Sequence, residues 1–281
     1  MLRLPWEHWW TLGLLAVAAT GLAAILLGIL RIHWLIGALL LWLALGYAFD
    51  RTILYRWAGC FHEHITHNVN EASAWFRTAL QDGKHQADLH ARIGHLSLRQ
   101  RDYQEAVDHL YKSLKEMPRA VQPRLDLALA YSKLGRYRSA EAYASEALRL
   151  APHSEASRLI LAQVRKAAGD LGGAQSVCEE ALRERDDSAP AHRLLGETLY
   201  GQGNLSQAQR HMQRAVTLDP VHPDGHYWLG AVYLDQMEWL RAQQELTEAL
   251  NRLVEPTYAS DVQRSHILEK LAQARVMAER R

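Results

Sequence analysis

The sequence predicts an all-α protein, with an N-terminal hairpin of two transmembrane helices followed by an α-solenoid of stacked helix pairs. Three observations predict it. Two long apolar runs without a charge, 11–30 and 34–49, stand near the N-terminal end. A pattern of 34 residues then recurs five times without insertion across 87–256. Last, 258–281 spaces Val262, Ile267, Leu268, Leu271 and Val276 among many charges, as an amphipathic capping helix would.

The first run, TLGLLAVAATGLAAILLGIL, has twenty residues. As a helix it measures about 30 Å, the thickness of a bilayer's hydrocarbon core. Arg31-Ile32-His33 forms a turn, and WLIGALLLWLALGYAF follows, giving spans of about 11–30 and 33–51 within a hairpin segment 1–57. That segment holds six of the nine Trp and only six charged residues. Trp6, Trp9, Trp10, Trp34, Tyr55 and Trp57 fall where interfacial aromatic belts are expected. Arg3 precedes the hairpin, Arg51 and Arg56 follow it, and only Arg31 sits at its turn. The positive-inside rule therefore predicts a multi-pass protein of the bacterial inner (plasma) membrane with the rest of the chain cytoplasmic. Gly13, Ala16, Thr20, Gly21 and Gly28 give the first span small residues for packing, within the hairpin or against a partner's membrane helices.

Within the repeat, Ala106, Ala140, Ala174, Ala208 and Ala242 stand at one place, and Ser113, Ala147, Ala181, Ala215 and Ala249 seven residues later. The other half of each copy carries Ile93-Gly94, Leu127-Ala128, Leu161-Ala162, Leu195-Gly196 and Leu229-Gly230, with Tyr131, Tyr200 and Tyr233 shortly after. Small residues at helical spacing mark close helix approach, and Pro118, Pro152 and Pro220 mark boundaries that a helix cannot cross. The copies run 87–120, 121–154, 155–188, 189–222 and 223–256. Before them, 58–86 holds a linker helix and a degenerate half-repeat with Ala72, Phe76 and Ala79 at second-helix places, and 257–281 is the cap.

This pattern resembles the tetratricopeptide repeat (TPR), which pairs Leu-Gly and Tyr on a first helix with Ala, a large apolar residue and Ala on a second, then Pro. The resemblance implies helix hairpins that bury their faces only by stacking. It also implies a groove, lined by the first helices, that holds a partner's peptide. By place in the repeat, the groove residues are His95, Arg99, Gln122, Leu125, Leu129, Lys133, Gln163, Arg193, Glu197, Tyr200, Tyr227 and Ala231. Members that bind chaperones clamp a carboxylate with Lys and Asn. Here His95, Leu129 and Gln163 stand at the Asn places, and Ala91 and Leu125 at the Lys places. A specific protein segment therefore fits better than a generic anion.

Other chemistry finds little support. The net charge of +1 gives no reason to expect nucleic acid. HEHITH (62–67) lacks the His-to-His spacing of a zinc protease, since Thr66 stands four after His62; His62, His64 and His67 read as a polar linker helix rather than a metal site. Cys60 and Cys178 form no C-x-x-C pair. Gly172-Gly173 has no adjacent phosphate-loop signature, so no cofactor and no catalysis are expected. Two spans followed by TPRs resemble the layout of PelE-type proteins of bacterial exopolysaccharide export. That likeness implies a membrane-anchored scaffold that recruits protein partners to a membrane complex, such as a polysaccharide synthesis or export machine. The alternative is an assembly chaperone for a membrane enzyme or cytochrome system. Self-association stays open.

Overall fold

The computed structural model describes residues 18–19, 41, 51–65, 68–81, 86–253 and 264–279. Among these, no helix is long and apolar enough to cross a membrane. This corrects the expected transmembrane hairpin and, with it, the multi-pass inner-membrane placement. Apart from Ala18, Ala19, Leu41 and Arg51, the two proposed spans lie outside the described residues. The helix that follows them, α1 (Arg51–His64), has 14 residues, a length of about 21 Å against the ~30 Å a bilayer core demands. It also carries Arg56, His62 and Glu63.

The chain divides into two compact units, Met1–Leu89 and His90–Arg281. In the first, α1 packs on α2 (Val69–Gln81) through Ala72, Phe76 and Ala79, all fully buried. A Cβ on Gly59 would lie 2.5 Å from the Phe76 ring, so glycine is what lets the ring reach the α1 backbone. Tyr55 stacks on Trp75 and His62 Nδ1 lies 2.8 Å from Glu71.

The second unit is built almost wholly of helix pairs. They are α3 (Gln86–Arg99, which begins in the first unit) with α4 (Tyr103–Glu116), α5 (Val121–Lys133) with α6 (Tyr137–Leu150), and α7 (Glu155–Ala167) with α8 (Leu171–Glu184). Then come α9 (Ala189–Gly201) with α10 (Leu205–Leu218), α11 (Pro223–Asp235) with α12 (Trp239–Arg252), and a last helix α13 (Arg264–Glu279). Local chemistry sets the boundaries. Asp102, Ser154, Asp170 and Ser188 each accept a hydrogen bond from the backbone N–H three residues on, satisfying an otherwise orphaned donor of the helix they precede. Every first helix ends in the same turn. Asp102, Arg136, Asp170, Asn204 and Glu238 donate backbone N–H bonds to the carbonyls of Ser97, Tyr131, Arg165, Leu199 and Tyr233 at 2.8–2.9 Å. This six-to-one closure needs a left-handed residue just before the donor. Gly135, Gly169 and Gly203 supply it in three copies; Arg101 (φ 65°) and Met237 (φ 61°) are forced into it in the other two.

Packing follows a size rule across each pair. Where the first helix has glycine, the residue sixteen places on is large: Gly94 faces Leu110, Gly196 faces Met212 and Gly230 faces Leu246. Where the first helix has Ala128 or Ala162, that place holds Ala144 or Cys178. All ten are buried within the pairs, so a glycine on the first helix makes room for a large residue on the second, and an alanine leaves room only for a small one. One core cluster runs without a break from Ala128 to Val232. Each fully buried leucine in it contributes about 2 kcal/mol. The last helix closes the row by setting Ile267, Leu271 and Ala274 against α11 and α12, and leaves Leu268 and Val276 exposed.

Candidate functional site

First helices touch first helices. α5 packs on α7, α7 on α9, α9 on α11 and α11 on α13, as well as on their own second helices. Among the described residues, second helices make no comparable contact with one another. The side chains at groove places thus share one continuous row.

Carboxylates tie the row together. Asp126 on α5 is buried, and its oxygens meet His95 Nδ1 on α3 at 3.1 Å and the Gln122 amide at 2.9 Å. Glu197 on α9 is buried too; Lys166 on α7 donates to one oxygen and Arg193 to the other at 2.6 Å. Arg193 also lies 3.9 Å from the buried Asp224 of α11. A buried carboxylate costs several kcal/mol unless paired, so these ties fix α3 to α5, α7 to α9 and α9 to α11. All three span 31 residues.

The expected groove residues divide by exposure. Arg99, Gln122 and Lys133 are exposed, and His95, Leu129, Gln163, Arg193 and Tyr200 are half-buried. Leu125, Glu197, Tyr227 and Ala231 are buried and form the floor on which the others stand. At one end the floor is aromatic. Tyr200 and Tyr227 both meet Trp228 edge-on, with centroids 5.7 and 5.2 Å away. Burial, and then a hydrogen bond with Asp235, push the Tyr200 phenol up, so it stays a neutral donor.

A further regularity escaped the sequence reading. Residues 124, 158, 192 and 226 stand at one place of the repeat and are Arg, Arg, His and His. Each donates to the backbone carbonyl six residues earlier: Arg124 to Pro118, Arg158 to Pro152, His192 Nε2 to Asp186 at 3.0 Å and His226 Nε2 to Pro220 at 2.9 Å. A basic residue at every thirty-fourth position was the signal that would have found them. These bonds anchor the loop that joins one pair to the next.

The cluster at 62–67 is divided. His62 is held by Glu71, His64 lies 3.9 Å from Glu63, and His67 lies outside the described residues. Among the described residues no group of three or more His, Cys, Asp or Glu could hold a metal ion. Cys178 is fully buried and its thiol is pushed up to about 12 by that burial, so it packs as a small apolar group.

Tetratricopeptide repeat patterns match residues 97–164, 133–198 and 165–216, and a second pattern of that description matches 193–256. The chain belongs to the tetratricopeptide repeat family. TPR proteins are generally protein-interaction scaffolds, and this fold is a scaffold of that kind. No curated protein matches the chain significantly. Among solved structures, a TPR protein from Parabacteroides merdae is similar with a TM-score of 0.73 at 16% identity, over 94% of this chain and 99% of that one. TTC0263, a thermophilic TPR protein of Thermus thermophilus, gives 0.58 at 20% identity, over 68% and 99%. A chain of the APC/C hetero-tetramer Cut9–Hcn1 gives 0.65 at 16% identity, over 79% of this TPR chain and 42% of that one. At these identities the likeness is one of fold.

Proposed function

We propose that this TPR protein holds a segment of a partner protein along its row of first helices, and that its repeats divide at 87, 121, 155, 189 and 223. The observation that carries the reading is the tied row itself. Asp126, Glu197 and Asp224 keep their charges occupied below the surface, while Arg99, Gln122, Leu129, Lys133, Gln163 and Tyr200 stay accessible above them. Such a surface is preorganised, so a bound segment loses little to ordering the receptor. Its mixture of cations, amides, a leucine and a tyrosine suits a segment with both acidic and apolar side chains. The link to exopolysaccharide export rested on the two-span layout and falls with it.

The test is affinity purification of the full chain from its native cells beside Arg99→Glu with Lys133→Glu. Both positions are exposed, so the double variant keeps its fold. A stoichiometric partner lost only from the variant is the expected result. A partner retained at equal yield would place binding on another face.

A further inference from the structure

His192 on α9 and His211 on α10 bring their Nδ1 atoms to 3.0 Å. The other nitrogen of His192, Nε2, lies 3.0 Å from the Asp186 carbonyl. A carbonyl only accepts, so Nε2 carries the proton and the neutral ring turns the Nδ1 lone pair toward His211. Burial lowers the pKa of both rings from 6.5, which keeps them neutral near pH 7. Two neutral imidazole nitrogens at this separation match adjacent corners of a metal's coordination sphere. Bonds of about 2.0–2.1 Å at right-angled to tetrahedral openings place them roughly 2.9–3.4 Å apart. A ligating histidine that donates its far N–H to a backbone carbonyl is the usual supporting arrangement.

The arrangement recurs. His90 on α3 and His109 on α4 occupy the same places of their pair, with Nδ1 atoms 2.8 Å apart. In the α11–α12 pair the same places hold His226 and Glu245, and there both ring nitrogens face oxygen acceptors at 2.7 and 2.9 Å. That ring is an imidazolium and offers no lone pair, so the third pair is a built-in contrast.

We propose that His192 with His211, and His90 with His109, are each a site for one divalent transition-metal ion of zinc or nickel type, bridging the two helices of their pair. Water completes each coordination sphere. In the metal-free pair His211 donates Nδ1–H to His192; on binding, that proton moves to Nε2, so no net proton is released. Glu179 and Asp186 favour a cation near His192 and His211, while Arg210 and Arg214 oppose it; Glu116 and Lys112 stand in the same relation to His90. With two protein ligands and mixed surrounding charge, the affinity is modest and imidazole-selective, so magnesium does not compete.

The experiment is zinc titration of the full chain by calorimetry, with magnesium as control, on wild type, His109→Gln, His211→Gln and both together. Each single variant is expected to lose one equivalent of zinc and the double variant two. Glu245→His supplies a second test that does not depend on losing anything: with His226 already backed by the Pro220 carbonyl, it should gain one equivalent. Zinc equivalents unchanged in all four variants, or magnesium bound as well as zinc, would overturn the proposal.

Discussion

His226 and Glu245 form a charged hydrogen bond of 2.7 Å between α11 and α12, with the histidine side chain only 8% exposed. The second ring nitrogen donates to the Pro220 carbonyl, so both nitrogens need protons. Burial alone would lower the pKa. The Glu245 bond, the carbonyl and the Glu245 charge outweigh it despite Arg252, and the ring titrates above its ordinary 6.5.

A raised folded-state pKa stabilises the fold fully below the unfolded value and loses that contribution as pH rises through the folded one. Urea unfolding of wild type and Glu245→Gln, from about pH 5.5 to 8.5, reads this. The wild type should be the more stable by the largest margin at the acid end, and the margin should shrink as pH rises. A margin that grows with pH would contradict the charged bond.

The glycine contacts separate two effects of opposite sign. Gly→Ala inside a helix gains about 1 kcal/mol of propensity, and overpacking costs about 1–3 kcal/mol. A Cβ at Gly230 would lie 2.7 Å from Leu246 Cγ, a branch point, and 3.3 Å from the Leu246 backbone nitrogen. At Gly196 it would meet Met212 at 2.8 Å, at the methyl end of a flexible thioether. Gly230→Ala should therefore destabilise by about 1–2 kcal/mol and Gly196→Ala by under about 0.5 kcal/mol, measured as midpoint shifts in urea.

Arg101 and Met237 occupy the left-handed turn place that glycine fills elsewhere. That conformation costs a residue with a side chain about 1–2 kcal/mol, against roughly 0.4–1 kcal/mol of extra unfolded-state freedom that glycine brings. Arg101→Gly and Met237→Gly should each raise the melting temperature, by a net 0.5–1 kcal/mol or so. Gly169→Ala, at φ 87°, should lower it. Thermal melts of the three variants decide the matter.

The 34-residue period was legible because small residues, tyrosine and proline repeat in phase, and packing demands those types. The division of volume between helices was legible only in part. Gly94, Gly196 and Gly230 are visible as small, but their meaning lies sixteen residues on, in Leu110, Met212 and Leu246. The ties of the row were hidden for a similar reason. His95–Asp126, Lys166–Glu197 and Arg193–Asp224 each join one repeat to the next, three residues short of the period, so no single copy contains them. Asp126 escapes a reading by repeat place, although a cation 31 places before an acid is a readable signal. The two-span reading went beyond its grounds, since apolar composition says what a segment avoids and not which helix it makes.

The central claim is that a partner lies along the first-helix row, and site-specific photocrosslinking tests it most directly. A benzophenone side chain would replace Gln163 on the row in one full-length protein, and the exposed Ser145 on second helix α6 in another. Each would be irradiated in its native cells. The account predicts one discrete crosslinked partner from position 163 and none from position 145. A partner crosslinked from 145 and not from 163 would contradict it.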